Sequence, residues 1–159
     1  MQIRKLSESE IPGAMKLVWE VFLQFEAPDY PEEGVLNFKR VIDDRNIIYS
    51  FTLYGAFENR KLTGVAATRN EGGHIALFFV RGEYHRRGIG RKLFDAVLRD
   101  STSDRITVNA SPFAVEIYRR LGFDATDGEK LSDGIRYTPM EYIENRTRIE
   151  KNGTASKGI

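Results

Sequence analysis

The chain has 159 residues, 41% hydrophobic and 30% charged, which suits one globular domain with an adequate core. Lysine and arginine total 24 against 23 acidic residues, so a formal charge of +1 supplies no overall field for nucleic acid or an anionic membrane. Without cysteine there are no structural disulfides, thiolate metal sites or cysteine nucleophile, and the two histidines, His74 and His85, stand too far apart to argue for a metal.

The N-terminal MQIRKLSESE lacks an apolar signal core, and no apolar run approaches the ~18 residues that cross a bilayer, so a cytoplasmic protein is expected. Residues 2–7 alternate like a short strand. SEIPGAMKLVWEVFLQF then changes period, with Leu17, Val18, Val21, Phe22 and Phe25 on one helical face. Two prolines in APDYP break that helix, and EEGVLNFKRVID reads as a second, weaker one. β-rich runs from Ile47 to Phe57 and from Leu62 to Thr68 follow, joined by a polar ENRK turn. HIALFFV, from His74 to Val80, is continuously apolar, as a strand covered on both faces should be.

HRRGIGRKLF, at 85–94, sets two glycines among four basic side chains at the start of a helix whose Ile89, Leu93, Ala96 and Val97 share a face. RITVNA, at 105–110, is another strand. SPFAVEIYRRLGF opens with serine as a cap and proline in the first turn, and Gly122 stops its helix. Phe123 to Thr126 and Ile135 to Tyr142 form a closing pair of strands, with DGEKLSDG between them as a connection. Residues 1–142 therefore make one domain, and 143–159 a polar tail expected to be flexible. The order β, α, α, β, β, β, α, β, α, β, β predicts an α/β domain with a mixed sheet.

Backbone N–H groups in the first turn of a helix lack intrahelical partners and face the positive end of its dipole. Gly88 and Gly90 remove the bulk that would block an anion from them. The dinucleotide fingerprint fails because Leu93 stands where a third small residue belongs, and no glycine-lysine-serine/threonine ending makes a phosphate loop. On these residues alone, an anion site and an ordinary basic turn with solvated arginines both remain open.

Context separates them. HRRGIG after a buried strand and before a helix, followed later by SPFAVEIYRRLGF with its tyrosine four residues before a glycine-phenylalanine pair, resembles the GNAT superfamily of acyl-CoA N-acyltransferases over residues 2–142. The departures are His85, where the family motif carries glutamine or arginine, and Ser111, where many members carry asparagine. The resemblance implies a mostly antiparallel twisted sheet, splayed between its fourth and fifth strands and flanked by about four helices. It implies that Arg86, Arg87, Gly88, Ile89, Gly90 and Arg91 cradle the pyrophosphate of acetyl-CoA, with His85 and Ser111 beside it. It further implies that the main chain of Phe78, Phe79 and Val80 pairs with the pantetheine arm. Tyr118 takes the family's role of acid to the departing sulfur. His74 stands near the place of a strand-borne base, and a histidine titrating near neutrality suits that task.

The acceptor side falls by the same resemblance to Trp19, Phe22, Glu26, Asp29 and Tyr30, where carboxylates among aromatics suit a cationic amine. The implied activity is N-acetylation of a primary amine of a small molecule or peptide. Since no cysteine can carry an acyl group, direct attack in a ternary complex is expected. The alternative is a noncatalytic acyl-CoA sensor. No metal, nucleic-acid or membrane partner is expected, while homodimers are frequent in the family.

Overall fold

The structure, a computed structural model, describes residues 1–144, so the expected tail lies outside the described residues from position 145 onward. Strand β1 (Gln2–Lys5) passes through a capped turn, where the Ser7 N–H donates to Glu10 Oε1 at 2.9 Å, into α1 (Ile11–Phe25). Helices α2 (Glu32–Asp43) and α3 (Arg45–Ile48) follow. Then come β2 (Thr52–Glu58), β3 (Lys61–Arg69), β4 (His74–Val80), α4 (Ile89–Asp100), β5 (Arg105–Ala110) and α5 (Val115–Leu121). Strands β6 (Asp124–Ala125), β7 (Lys130–Ser132) and β8 (Ile135–Ile143) close the described chain. Among the described residues no helix is long and apolar enough to cross a membrane.

The sheet order is β1-β2-β3-β4-β5-β8-β6, with β7 paired to β8. Its neighbours are antiparallel except β4 and β5, so the expected mixed, mostly antiparallel sheet is what forms. Two cores cover its faces. Leu93, Phe94 and Val97 of α4 pack with Phe123 and Met140 on one side, and Leu17, Val18 and Phe22 of α1 pack with Val65, Leu77 and Phe79 on the other.

Two local expectations needed correction. The run from Ile47 starts as helix, and the strand begins only at Thr52. The Asp44 side chain accepts the N–H groups of Asn46 and Ile47 at 2.9 and 3.2 Å, and this cap outweighs the β preference of two isoleucines. The second correction is in DGEKLSDG, which contains β7 and a tight return through Asp133 (φ 52°) and Gly134 (φ 77°).

That return touches α2 backbone to backbone. A Cβ built on Gly34 would fall far inside contact distance of the Gly134 carbonyl oxygen, and Asn37 Nδ2 donates to the Asp133 carbonyl at 2.8 Å. Gly34→Ala must therefore push the β7–β8 turn off α2, despite alanine's better helix propensity. We expect a loss of about 1–3 kcal/mol, seen as a lower denaturation midpoint. An unchanged or raised midpoint would mean that the turn yields freely.

Candidate active site

Strand β4 pairs with β5 only at His74 with Thr107 and Ile75 with Val108. Beyond this pair a bulge intervenes: Ala67 of β3 faces Leu77 and Thr68 faces Ile75, so Ala76 is the extra residue. The bulge reverses the alternation of β4. Ile75 enters the core beside α4, whereas Leu77 and Phe79 enter the core beside α1, and Phe78 and Val80 pack on the α4 side. The Thr107 N–H donates to the Gly73 carbonyl at 2.9 Å, so before the bulge the odd residues turn their main chain toward β5. After it the Arg81 N–H donates to Thr63 of β3 at 2.9 Å, so Phe78 and Val80 turn theirs to the open side.

Phe79, opposite Val65, faces β3 instead, so only two of the three expected edge residues point their main chain into the opening. One acceptor there is already engaged. His85 Nε2 donates to the Val80 carbonyl at 2.7 Å, and the His85 ring packs 4.8 Å from that of Phe25. His85 thus ties the loop to the end of the strand.

The loop after β4 reverses through Arg86 (φ 64°) and Gly88 (φ 81°), where α4 begins. The first bond into the helix is Lys92 N–H to the Gly88 carbonyl, at 3.1 Å. The N–H groups of residues 86–91 donate to none of the described residues. A Cβ on Gly88 would meet nothing within 4 Å, and one on Gly90 would lie 3.5 Å from Phe78 Cε1. The two glycines therefore leave space beside this row of donors, and Gly90 adjoins Phe78 of the splayed strand. Arg91 reaches away to the Arg120 carbonyl at 2.9 Å, whereas the Arg87 guanidinium lies 5.2 Å over the Tyr84 ring. Ile89 sends its side chain into the core, leaving its amide at the helix start.

The splay opens into a cleft of about 350 Å³ between β4, β5, α1, α2, α5 and the β7–β8 turn. Tyr118 is buried in its wall, its ring 5.7 Å from Phe78 and 5.3 Å from Phe123. Its hydroxyl has no hydrogen-bond partner among the described residues. It is nonetheless not sealed from water, since Arg81 Nε is the one fully buried unpartnered side-chain N or O among them. Burial, and then the Glu26 carboxylate, push the Tyr118 hydroxyl far above the ordinary phenol range. It stays protonated throughout the physiological range and can act as a donor.

Glu26, at the C-terminal end of α1, lines the same cleft with Tyr30, Phe22 and Ser111. Loss of hydration pushes its carboxyl up to about 7. The Ser111 hydroxyl pulls it back down, and the Asp29 carboxylate adds to the rise. Burial and the Glu26 charge likewise raise Tyr30, whose hydroxyl donates to the Arg136 carbonyl at 3.2 Å. Ser111 Oγ accepts the Ala114 N–H at 3.3 Å in the turn before α5, whose N-cap is Ala114 and not the expected serine, and Ser111 sits with Glu26 and Tyr30 rather than with the 86–91 loop.

Three expected site residues stand apart. His74 marks the closed end of the splay, its Nδ1 hydrogen-bonded to Thr107 Oγ1 at 2.8 Å, and burial followed by the Arg69 charge pushes it down to about 4. Trp19 lines a separate hollow between α1 and α2, stacked 5.8 Å from Phe22. Asp29 is exposed, and its carbonyl accepts Arg136 Nη2 at 2.9 Å. Conversely, Phe38 and Tyr137 line the cleft without having been singled out. Phe38 lies one helical turn from Gly34 and Ile42, both buried, a spacing that marks the inner face of α2.

Comparison with known proteins bears on this geometry. The model of the acetyltransferase (GNAT) domain family matches residues 26–144. No curated protein matches the sequence. Among solved structures, a GCN5-related N-acetyltransferase from Rhodopseudomonas palustris superposes with a TM-score of 0.77 at 21% identity, over 89% of this chain and 94% of that one. The PaiA N-acetyltransferase of Thermoplasma acidophilum, solved with coenzyme A, gives 0.71 at 19% identity over 89% and 98%. Apo YjaB from Escherichia coli gives 0.70 at 18% over 90% and 97%. These likenesses establish the shared fold. With the family model spanning everything from the end of α1 to the end of β8, the chain belongs to the GNAT acetyltransferase family, and its reaction class is acyl transfer.

Proposed function

We propose that the protein moves an acetyl group from acetyl-CoA to a primary amine by direct attack in a ternary complex. The observation that carries this reading is the row of N–H groups at residues 86–91 that bond to none of the described residues, with Gly88 and Gly90 adding no bulk, beside an opening in the sheet. Such a row suits a diphosphate, and an open strand edge suits an arm that carries amides.

Each charge-assisted hydrogen bond from the loop is worth about 1.5–3 kcal/mol, so several hold the diphosphate well. Arg86 and Arg87 add positive charge there. Phe78 and Val80 continue the sheet ladder along the arm through their main chain. His85, already bonded to Val80, positions the loop. Acetyl-CoA, when bound, supplies a thioester carbonyl activated toward amines. Tyr118 then donates a hydrogen bond to the sulfur as negative charge develops there.

The test is calorimetric titration with acetyl-CoA, joined to a thiol-release assay over a panel of primary amines. Micromolar binding and amine-dependent release are expected. Binding with no release for any amine would instead indicate an acyl-CoA sensor, and the absence of binding would overturn the reading.

A further inference from the structure

The acceptor end of the cleft has a one-sided chemistry. Its lining includes the carboxylates of Glu26 and Asp133, and among the described lining residues there is no lysine, arginine or histidine. Phe22, Phe38, Val41, Ile135 and Tyr137 make its walls apolar. Phe22 stacks 3.9 Å from Phe38 and 5.9 Å from Tyr30, so an aromatic floor leads directly to Glu26.

We propose that the acceptor is a cationic amine on an aromatic or branched apolar body with no carboxylate beside the nitrogen, and that Glu26 docks its ammonium and takes its proton. This rests on the acetyl-transfer reading above. A cation entering between a carboxylate and aromatic faces replaces part of its lost hydration by ion pairing and cation–π contact. A carboxylate on the acceptor would find no cationic side chain in the lining, since Arg136 is turned to the Asp29 carbonyl at 2.9 Å and to Glu129 at 3.7 Å, and it would face Glu26.

The proton balance closes. Glu26 takes one proton from the ammonium, and the freed lone pair forms the C–N bond. The C–S bond breaks with its electron pair on sulfur. The second nitrogen proton leaves as the amide forms, the thiolate ends as a thiol, and one proton passes from Glu26 to solvent. The charged and titratable groups around Glu26 are Asp29 on its own turn, Tyr30, Tyr118 of α5, Asp133 in the β7–β8 turn and Arg136 of β8. The carboxyl pushed up to about 7 makes Glu26 a base matched to neutral pH, so activity falls as pH drops through 7.

The experiment compares phenethylamine, phenylalanine and ethylamine as acceptors with wild type and Glu26→Gln, by thiol release across pH 5–9, alongside acetyl-CoA titration. Phenethylamine should exceed phenylalanine in kcat/KM by about 100-fold, since like charges placed together cost several kcal/mol. Ethylamine should show a raised KM. Glu26→Gln should lower kcat/KM for phenethylamine about 10²–10³-fold, flatten the acid limb and leave acetyl-CoA affinity unchanged.

Melting supplies a readout independent of turnover. The raised carboxyl favours folding below its unfolded value near 4.5, and that contribution is lost as pH rises through 7. Glu26→Gln should therefore melt above wild type at pH 8 and level with it at pH 5. Equal use of phenylalanine, acceptance of none of the amines by a protein that binds acetyl-CoA, or an unchanged Glu26→Gln profile would each overturn the proposal and leave coenzyme binding standing. Absence of acetyl-CoA binding would overturn the parent reading and this one with it.

Discussion

Tyr118→Phe is expected to lower turnover about 10²–10³-fold while acetyl-CoA affinity stays at its wild-type value. The substitution removes one oxygen and nothing else. The ring contacts with Phe78 and Phe123 persist, and no described residue loses a hydrogen-bond partner, so the fold should be unaffected or slightly stabilised. A phenol near pKa 10 gives its proton to a thiolate near 8.5 only uphill, by about 2 kcal/mol, and burial beside Glu26 steepens that slope. On the proposed mechanism the work of the hydroxyl is then a hydrogen bond that strengthens as charge reaches sulfur. Such an interaction belongs to the transition state, so kcat and kcat/KM should fall together with KM little changed. Steady-state kinetics with any accepted amine gives the answer. Wild-type turnover in the variant would remove Tyr118 from the mechanism.

What could be read in the sequence divides by how local its cause is. The glycine turn was legible because a left-handed residue and a helix start leave marks within a few positions, and Gly88 does take a positive φ. Tyr118 was legible through the resemblance, as the tyrosine four residues before a glycine-phenylalanine pair. The bulge at Ala76 was hidden, because both faces of β4 pack against a core and a continuous apolar run looks the same in either phase.

His74 and Glu26 exchanged prospects for a related reason. His74 lies where β4 still pairs with β5, a register set by residues 33 positions away. Glu26 and Asp29 read alike as acceptor-side carboxylates among aromatics, yet Ser111, Tyr118 and the cleft walls close over only the first. Nothing near position 26 encodes that enclosure. The helical turn at Arg45–Ile48 shows the converse case, in which a single aspartate cap decides against a β-rich composition.

Gly90→Val should weaken acetyl-CoA binding about 10²–10⁴-fold while the domain still folds. The reason for choosing this glycine over Gly88 is conformational. Gly88 sits at φ 81°, where any L side chain adds about 1–2 kcal/mol of strain, so its variants confound binding with stability. Gly90 lies inside α4, its added Cβ would be at ordinary contact with Phe78, and valine is no worse than glycine in a helix. The added γ-methyls, however, lie beside the free N–H groups, where a phosphate oxygen must come within about 2.9 Å to bond. Losing two charge-assisted bonds of about 1.5–3 kcal/mol each gives the stated range. Gly90→Ala, with one carbon, should fall between valine and wild type. An acetyl thioester of pantetheine, which lacks the diphosphate, separates the causes. If the loop grips phosphate, that shortened donor serves wild type and Gly90→Val equally well, and only the full coenzyme distinguishes them. Equal acetyl-CoA affinity in the two proteins would return HRRGIG to an ordinary basic turn.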